Sequence, residues 1–220
     1  MSEEKEITVN GLLKVGKEEH IHDLQKNGHL YCNTVKWFRE VEKSDKNRHD
    51  GREGAFKTEV LDNPENFTIS VDGKPLTLKP THVRINEFYE NRSKLKLYCL
   101  FGFKEKHANG SYFIDKRVEE FGPKALVILN VAEFIKRVES KLRELELGCK
   151  YNFVNYYKEN GVNENLTVFD KPKRFEYQNE FRLLFYEISP TPLSIKIGSI
   201  EDISIMLETE KLSKLSLERQ

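Results

Sequence analysis

Tyr177-Gln178-Asn179-Glu180 puts an aromatic ring, an amide and a carboxylate at the mouth of an apolar run, Phe181-Arg182-Leu183-Leu184-Phe185. A carboxylate fixed at the rim of a core strand can stabilise positive charge that develops on a substrate. An amide beside it can both donate and accept a hydrogen bond. The plainer role for Glu180 is an ion pair, with Arg182 on the same strand face or with Lys173 or Arg174 across the turn. Similar acidic pairs at Glu4/Glu6, Glu40/Glu42, Glu144/Glu146 and Glu208/Glu210 fit solvated tails and helix faces. Glu180 differs in standing beside a core strand.

Two other groupings could do chemistry. Asn47-Arg48-His49-Asp50-Gly51-Arg52-Glu53-Gly54 crowds two arginines, acids and glycines into one loop. It is either a solvated polar loop or a lid that brings Arg48 or Arg52 onto phosphate, which the guanidinium fork suits. His20-Ile21-His22-Asp23 lacks the third ligand of a zinc motif, and the remaining histidines have no ordered spacing. It therefore reads as surface histidines on a helix, with no metal site expected. Cys32, Cys99 and Cys149 form no CxxC pair; they are expected to be reduced, with Cys99 the least reactive.

The elements that must position these groups are legible in outline. Ile7 to Val15 predicts a strand, Lys17 to Asn27 a helix closed by Gly28, and His29 to Thr34 a second strand. Val35 to Glu42 is predicted helical, and Ser44 to Gly54 a polar loop. Phe67 to Lys79 alternates about Asp72-Gly73, which suits a type I′ hairpin. Lys94 to Phe103 carries apolar residues on both faces and predicts a central strand. After a short strand at Ala125 to Leu129, Asn130 to Leu147 predicts the best helix. Asn130 caps it, Glu133 stands at the box position, Gly148 ends it, and Phe134, Ile135, Val138, Leu142 and Leu145 face inward. Tyr151 to Tyr157, Phe181 to Ile188 and Leu193 to Ile197 predict further strands, and Lys211 to Arg219 a terminal helix. The pattern predicts one α+β domain over 1–220 with a split, mostly antiparallel sheet.

Composition limits the function. The 220 residues carry 36 basic and 36 acidic side chains, so no general basic footprint for nucleic acid is expected. An acidic start and the lack of a long apolar run predict a cytoplasmic protein that does not enter membranes.

Several segments together resemble the ADP-ribosyltransferase-like fold, most of all a bacterial group that includes phage-defence toxins. Leu12-Leu13-Lys14-Val15 followed by a helix and Gly28-His29-Leu30-Tyr31 is similar to the first strand, helix and G-x-L-Y strand of that group. Leu97-Tyr98-Cys99-Leu100-Phe101 resembles its middle strand. Lys173 to Arg182 resembles its K-x-x-x-Y-x-x-E-[FY]-R segment, and Gln178-x-Glu180 its Gln/Glu-x-Glu turn. Lys14 stands where such transferases carry Arg or His, and Cys99-Leu100-Phe101 replaces the Ser-Thr-Ser of one subclass. The resemblance implies an NAD-dependent transferase that moves ADP-ribose to a macromolecule, nucleic acid included. Glu180 would then be the catalytic carboxylate and Gln178 its orienting amide. Tyr31 or Tyr177 would stack on nicotinamide, and Lys14, Arg48 and Arg52 would meet the pyrophosphate. It also implies a toxin of phage defence or a toxin–antitoxin pair, with an antitoxin protein as partner. The alternative is a non-catalytic binding protein that keeps the fold without NAD turnover. The sequence further predicts that Glu180 lies at a cleft mouth, near Tyr31 and the Arg48 to Glu53 loop.

Overall fold

The computed structural model describes residues 9–40, 50–104 and 114–214. β1 (Val9–Gly16) runs into α1 (Glu18–Asn27), and β2 (His29–Thr34) into α2 (Val35–Glu40). β3 (Ala55–Asp62), β4 (Phe67–Val71), β5 (Lys74–Leu78) and β6 (His82–Phe88) follow, then α3 (Glu90–Lys94) and β7 (Lys96–Lys104). The second half supplies β8 (Lys124–Ile128), α4 (Val131–Glu144), β9 (Cys149–Phe153), β10 (Asn155–Tyr157) and β11 (Val162–Asn163). β12 (Asp170–Pro172), β13 (Glu180–Phe185), β14 (Leu193–Lys196) and β15 (Ser204–Glu208) complete the strands. The fold is α+β, and its pairings among the described residues are antiparallel except for β10 with β12.

The main sheet is organised by β7, as apolar residues on both of its faces demand. Along one edge, β13 pairs with β7 from Phe185↔Lys96 to Glu180↔Phe101 and carries β9 on its far side. Two strands share the opposite edge. β2 takes its start, with Asn33↔Leu97 and Thr34↔Lys96; β1 takes its end, with Leu12↔Gly102 and Leu13↔Phe101. The sheet therefore splits at Tyr98, Cys99 and Leu100. β14 extends the β2 side, and β8 and β15 extend the β1 side.

Both faces of this sheet are covered. On the first, Leu12, Leu30, Cys32, Tyr98, Leu100, Leu183 and Phe185 pack beneath Ile21 and Leu24 of α1 and Phe134, Val138 and Leu142 of α4. Each such side chain contributes about 1.5–3 kcal/mol by leaving water. On the second face, two clusters form, one around Leu13, Phe101 and Phe103 and the other around Val35, Leu97, Val168 and Leu184. Arg182 pairs with Cys99 between them, so a polar band crosses an otherwise apolar face.

Local signals account for most elements. Asn130 caps α4 by accepting the Glu133 N–H at 3.0 Å. Glu133 does not close the reciprocal box, because its carboxylate is taken by Lys136 and Arg137. The helix ends earlier than its pattern predicts: Glu146 adopts φ 55°, ahead of Gly148, and Leu145 stays exposed rather than in the core. The predicted hairpin forms as β4–β5, with positive φ at both Asp72 and Gly73. It is an excursion within a longer pairing, because β3 and β6 join on either side of it from Asp62↔His82 to Ala55↔Phe88. The predicted strand at Tyr151 to Tyr157 divides: β9 joins the main sheet, whereas β10 turns away to pair with β12. The predicted C-terminal helix is a 3-10 segment at Thr209–Lys214, and its remaining residues lie outside those described.

Candidate functional site

Local backbone first aims Gln178 and Glu180 at one point. A 3-10 turn, Lys173–Gln178, ends at Asn179 with φ 37°, and Asn179 accepts the Gly102 N–H at 2.9 Å through its carbonyl. β13 then begins with Glu180, whose N–H donates to the Tyr156 hydroxyl at 2.9 Å. Lys171 of β12 reaches both residues. Its ammonium donates to Gln178 Oε1 at 2.8 Å and to Glu180 Oε2 at 2.9 Å. Arg182, two residues along the same face, donates from Nε to the other Glu180 oxygen at 2.7 Å.

Glu180 is thus not at the rim of a cleft. It is 5% exposed, with both carboxylate oxygens held by cations. The ion pair with Arg182 that spacing allowed is present; Lys171, rather than Lys173 or Arg174, supplies the second cation.

The loop before β3 completes the box, contrary to its expected solvation. Asp50, Arg52 and Glu53 are all buried. The turn is tied by the Asp50 carboxylate accepting the Arg52 N–H at 3.0 Å and by the Glu53 N–H donating to the Asp50 carbonyl at 2.9 Å. Gly54 must be glycine here: φ is 75°, and a Cβ would lie 2.3 Å from Val35 Cγ1. This geometry lets Glu53 meet Arg182 through two parallel bonds of 2.7 Å, the bidentate arrangement that guanidinium and carboxylate favour. Arg182 also donates to the Val168 carbonyl.

The charges balance within the box, two carboxylates against two cations. Burial alone would raise the Glu180 carboxyl, but Arg182 and Lys171 outweigh it and hold the group far below the usual carboxylate range. Burial pushes Glu53 up against the pull of Arg182 and Lys171. Cys99 touches Glu180 from the neighbouring strand, and burial, with that carboxylate, lifts its thiol well above its ordinary value. Burial likewise pushes the Cys32 thiol up to about 12.

The other residues singled out in the sequence divide. Lys14 enters the split of the sheet, where its ammonium donates to the Cys99 carbonyl at 2.7 Å and lies 4.4 Å from the centre of the Tyr98 ring. It thereby satisfies a carbonyl that neither β1 nor β2 reaches. Gln178 is buried beside Lys171, and its amide lies 3.3 Å from the Tyr177 hydroxyl. Tyr177 packs against the Phe101–Phe103 cluster, and the Arg117 guanidinium covers one ring face at 3.7 Å. Tyr31 is 55% exposed on β2, opposite Ser194, and has no contact with Glu180 among the described residues. Arg48 lies outside the described residues. His20 is exposed and His22 half-exposed on α1, beside Glu19 and Glu18.

Sequence reasoning did not single out Glu53, Lys171 or Arg182 as site residues. Each belongs to a charged residue type that is rarely buried, and nothing local marks which of the 72 charged residues are. The nearest usable signal was Gly54 directly after Glu53. The chain matches no protein-family model, and no curated protein or solved structure is significantly similar to it.

Proposed function

We propose that the chain is an NAD-dependent ADP-ribosyltransferase of the split-sheet, ADP-ribosyltransferase-like fold, with its reaction centre where β1, β7 and β13 meet. The observation that carries this reading is the junction at Cys99. Lys14 stands on its β1 side and Glu180 on its β13 side, at the point where the sheet divides. Cleavage between nicotinamide and ribose passes through an oxocarbenium-like state, which an ionised carboxylate stabilises. Arg182 and Lys171 hold Glu180 ionised, which suits an electrostatic role rather than that of a general acid. To face a ribose it must exchange Lys171 or Arg182 for substrate. Where Lys171 is the cation exchanged, the Gln178 amide turns from it to orient the acceptor, a macromolecule such as nucleic acid or protein. Toxin action, checked by an antitoxin partner, is the physiological setting that accords with this chemistry.

One observation favours a second reading, a binding protein without NAD turnover: both Glu180 oxygens are already paired in a buried, charge-balanced box. NAD labelled in its adenosine part separates the two. Incubation with protein, DNA and RNA acceptors should release nicotinamide and place label on one acceptor class. If wild-type protein releases no nicotinamide with any of them, the binding-protein reading takes the place of the transferase.

A further inference from the structure

Beside the Glu180 box, and facing away from it along the same loop, lies a second polar cluster. Arg52 has a side chain only 1% exposed, yet none of its three guanidinium nitrogens makes a well-aligned hydrogen bond among the described residues. Glu159 Oε2 is 3.1 Å from Nη2 but off the N–H directions. Thr58 Oγ1 and Asn86 Oδ1 are buried and without partners in the same sense. These two residues are directly opposed across β3 and β6, and the register Val60↔Arg84 puts Arg84 on their face. Tyr157 links the groups. Burial and Asp50 raise its phenol, while hydrogen bonding to Arg52 and Thr58 pulls it back down, so two buried groups share this one hydroxyl and neither is well aligned on it.

A buried polar group without a well-aligned partner costs up to about 1–3 kcal/mol, so a cluster of them is kept only where something offsets the cost. The rim indicates what does. Arg84 and Arg174 are both exposed. Burial, followed by repulsion from Arg52 and Arg174, lowers the Arg84 guanidinium, so three cations crowd one spot. Glu159 meets both Arg52 and Arg174, and Asp50 lies 3.6 Å from Arg174. Three arginines against two carboxylates leave one positive charge. The poorly paired atoms comprise guanidinium donors, one amide acceptor and one hydroxyl able to do either. That set matches an anionic group carried next to a hydroxyl.

We propose that Arg52, Arg84 and Arg174, with Thr58 and Asn86, form a binding site for a phosphorylated sugar, the phosphate on the guanidinium groups and a sugar hydroxyl on Asn86. The Glu159 carboxylate holds the phosphate's place and is displaced by it. The site does not rest on NAD turnover, because binding alone decides it and the two readings fail separately.

Calorimetric titration of the full chain with ribose 5-phosphate, inorganic phosphate and ribose tests the proposal. Ribose 5-phosphate should bind with a Kd below about 1 mM, about tenfold or more tighter than phosphate, and ribose should not bind. Arg84→Ala and Arg174→Ala change exposed side chains and should each weaken ribose 5-phosphate about tenfold. Glu159→Gln should tighten it severalfold, a gain that a purely structural ion pair would not give. Equal affinity for phosphate and ribose 5-phosphate, no binding below about 10 mM, or an unchanged Kd in Arg84→Ala and Glu159→Gln would overturn the proposal. Adenosine 5′-monophosphate as a further titrant identifies the source. Binding equal to ribose 5-phosphate indicates a nucleotide, exclusion indicates a free sugar phosphate, and either upholds the site.

Discussion

Glu180→Gln should destabilise the protein by about 3–5 kcal/mol, because it leaves Lys171 buried without its carboxylate. The sequence suggests a far smaller cost, since it places Glu180 at an exposed strand rim where an ion pair contributes about 0–1 kcal/mol. Adding Lys171→Met to Glu180→Gln removes the stranded charge and should restore part of the loss. Acid provides the sign check. The folded-state carboxyl is depressed below its ordinary 4.5, so its stabilisation is complete above that pH and fades as pH falls below it. Denaturant unfolding of wild type and Glu180→Gln between pH 3 and pH 7 should therefore show a constant gap that narrows below about pH 4.5. A gap under 1 kcal/mol, or one that ignores pH, would refute the buried pair. The candidate carboxylate was legible in the sequence, but its surroundings were not. Glu53 and Arg182 are 129 positions apart, and only the packed tertiary fold makes them neighbours.

Elements with strong local patterns were the most legible. α4 and the β4–β5 hairpin follow from a helical apolar stripe and from an Asp-Gly turn, both of which act over a few residues. Leu145 shows where periodicity stops being informative: it continues the stripe one residue past the end of α4, just before the chain turns away at Glu146. Val138→Asp should abolish cooperative folding, since Val138 is 1% exposed beneath the main sheet. Leu145→Asp should change stability by no more than about 0.5 kcal/mol, as a surface substitution. Thermal melts of both variants check the inward face; comparable losses would put Leu145 in the core after all. β3 and β6 went unread for a different reason. Ala55 to Asp62 and His82 to Phe88 mix charged and apolar residues, and their strand state depends on pairing with each other across an intervening hairpin.

For the whole molecule, the split sheet is an α+β architecture covered on both faces, and among the described residues no helix is long and apolar enough to cross a membrane. Its central strands carry two of the three free cysteines, which makes thiol chemistry a probe of global opening. Cys149 and Cys99 are both half-buried, but the Cys99 thiol is lifted well above its ordinary value by burial and Glu180, and Cys32 is 0% exposed. Native-state labelling should reach Cys149 first. Cys32 and Cys99 should follow together, at a rate set by unfolding, since a thiol raised this far is rarely a thiolate. Labelling of Cys99 well ahead of Cys32 would mean that the split in the sheet opens by itself. The α+β, mostly antiparallel class was legible even with β3 and β6 unread, because strands outnumbering helices without regular alternation requires no knowledge of which side chains meet.

The nested hairpin has a consequence for how this chain can be rebuilt. The backbone leaves β3 and returns to β6 at one place, where the Asn63 N–H donates to the Thr81 carbonyl at 2.8 Å. β4 and β5 make their contacts chiefly with each other. Residues 63–81 are therefore a plug in a socket. A short turn could replace them, or a foreign domain with closely spaced termini could be grafted in, without disturbing the register that holds β3 to β6.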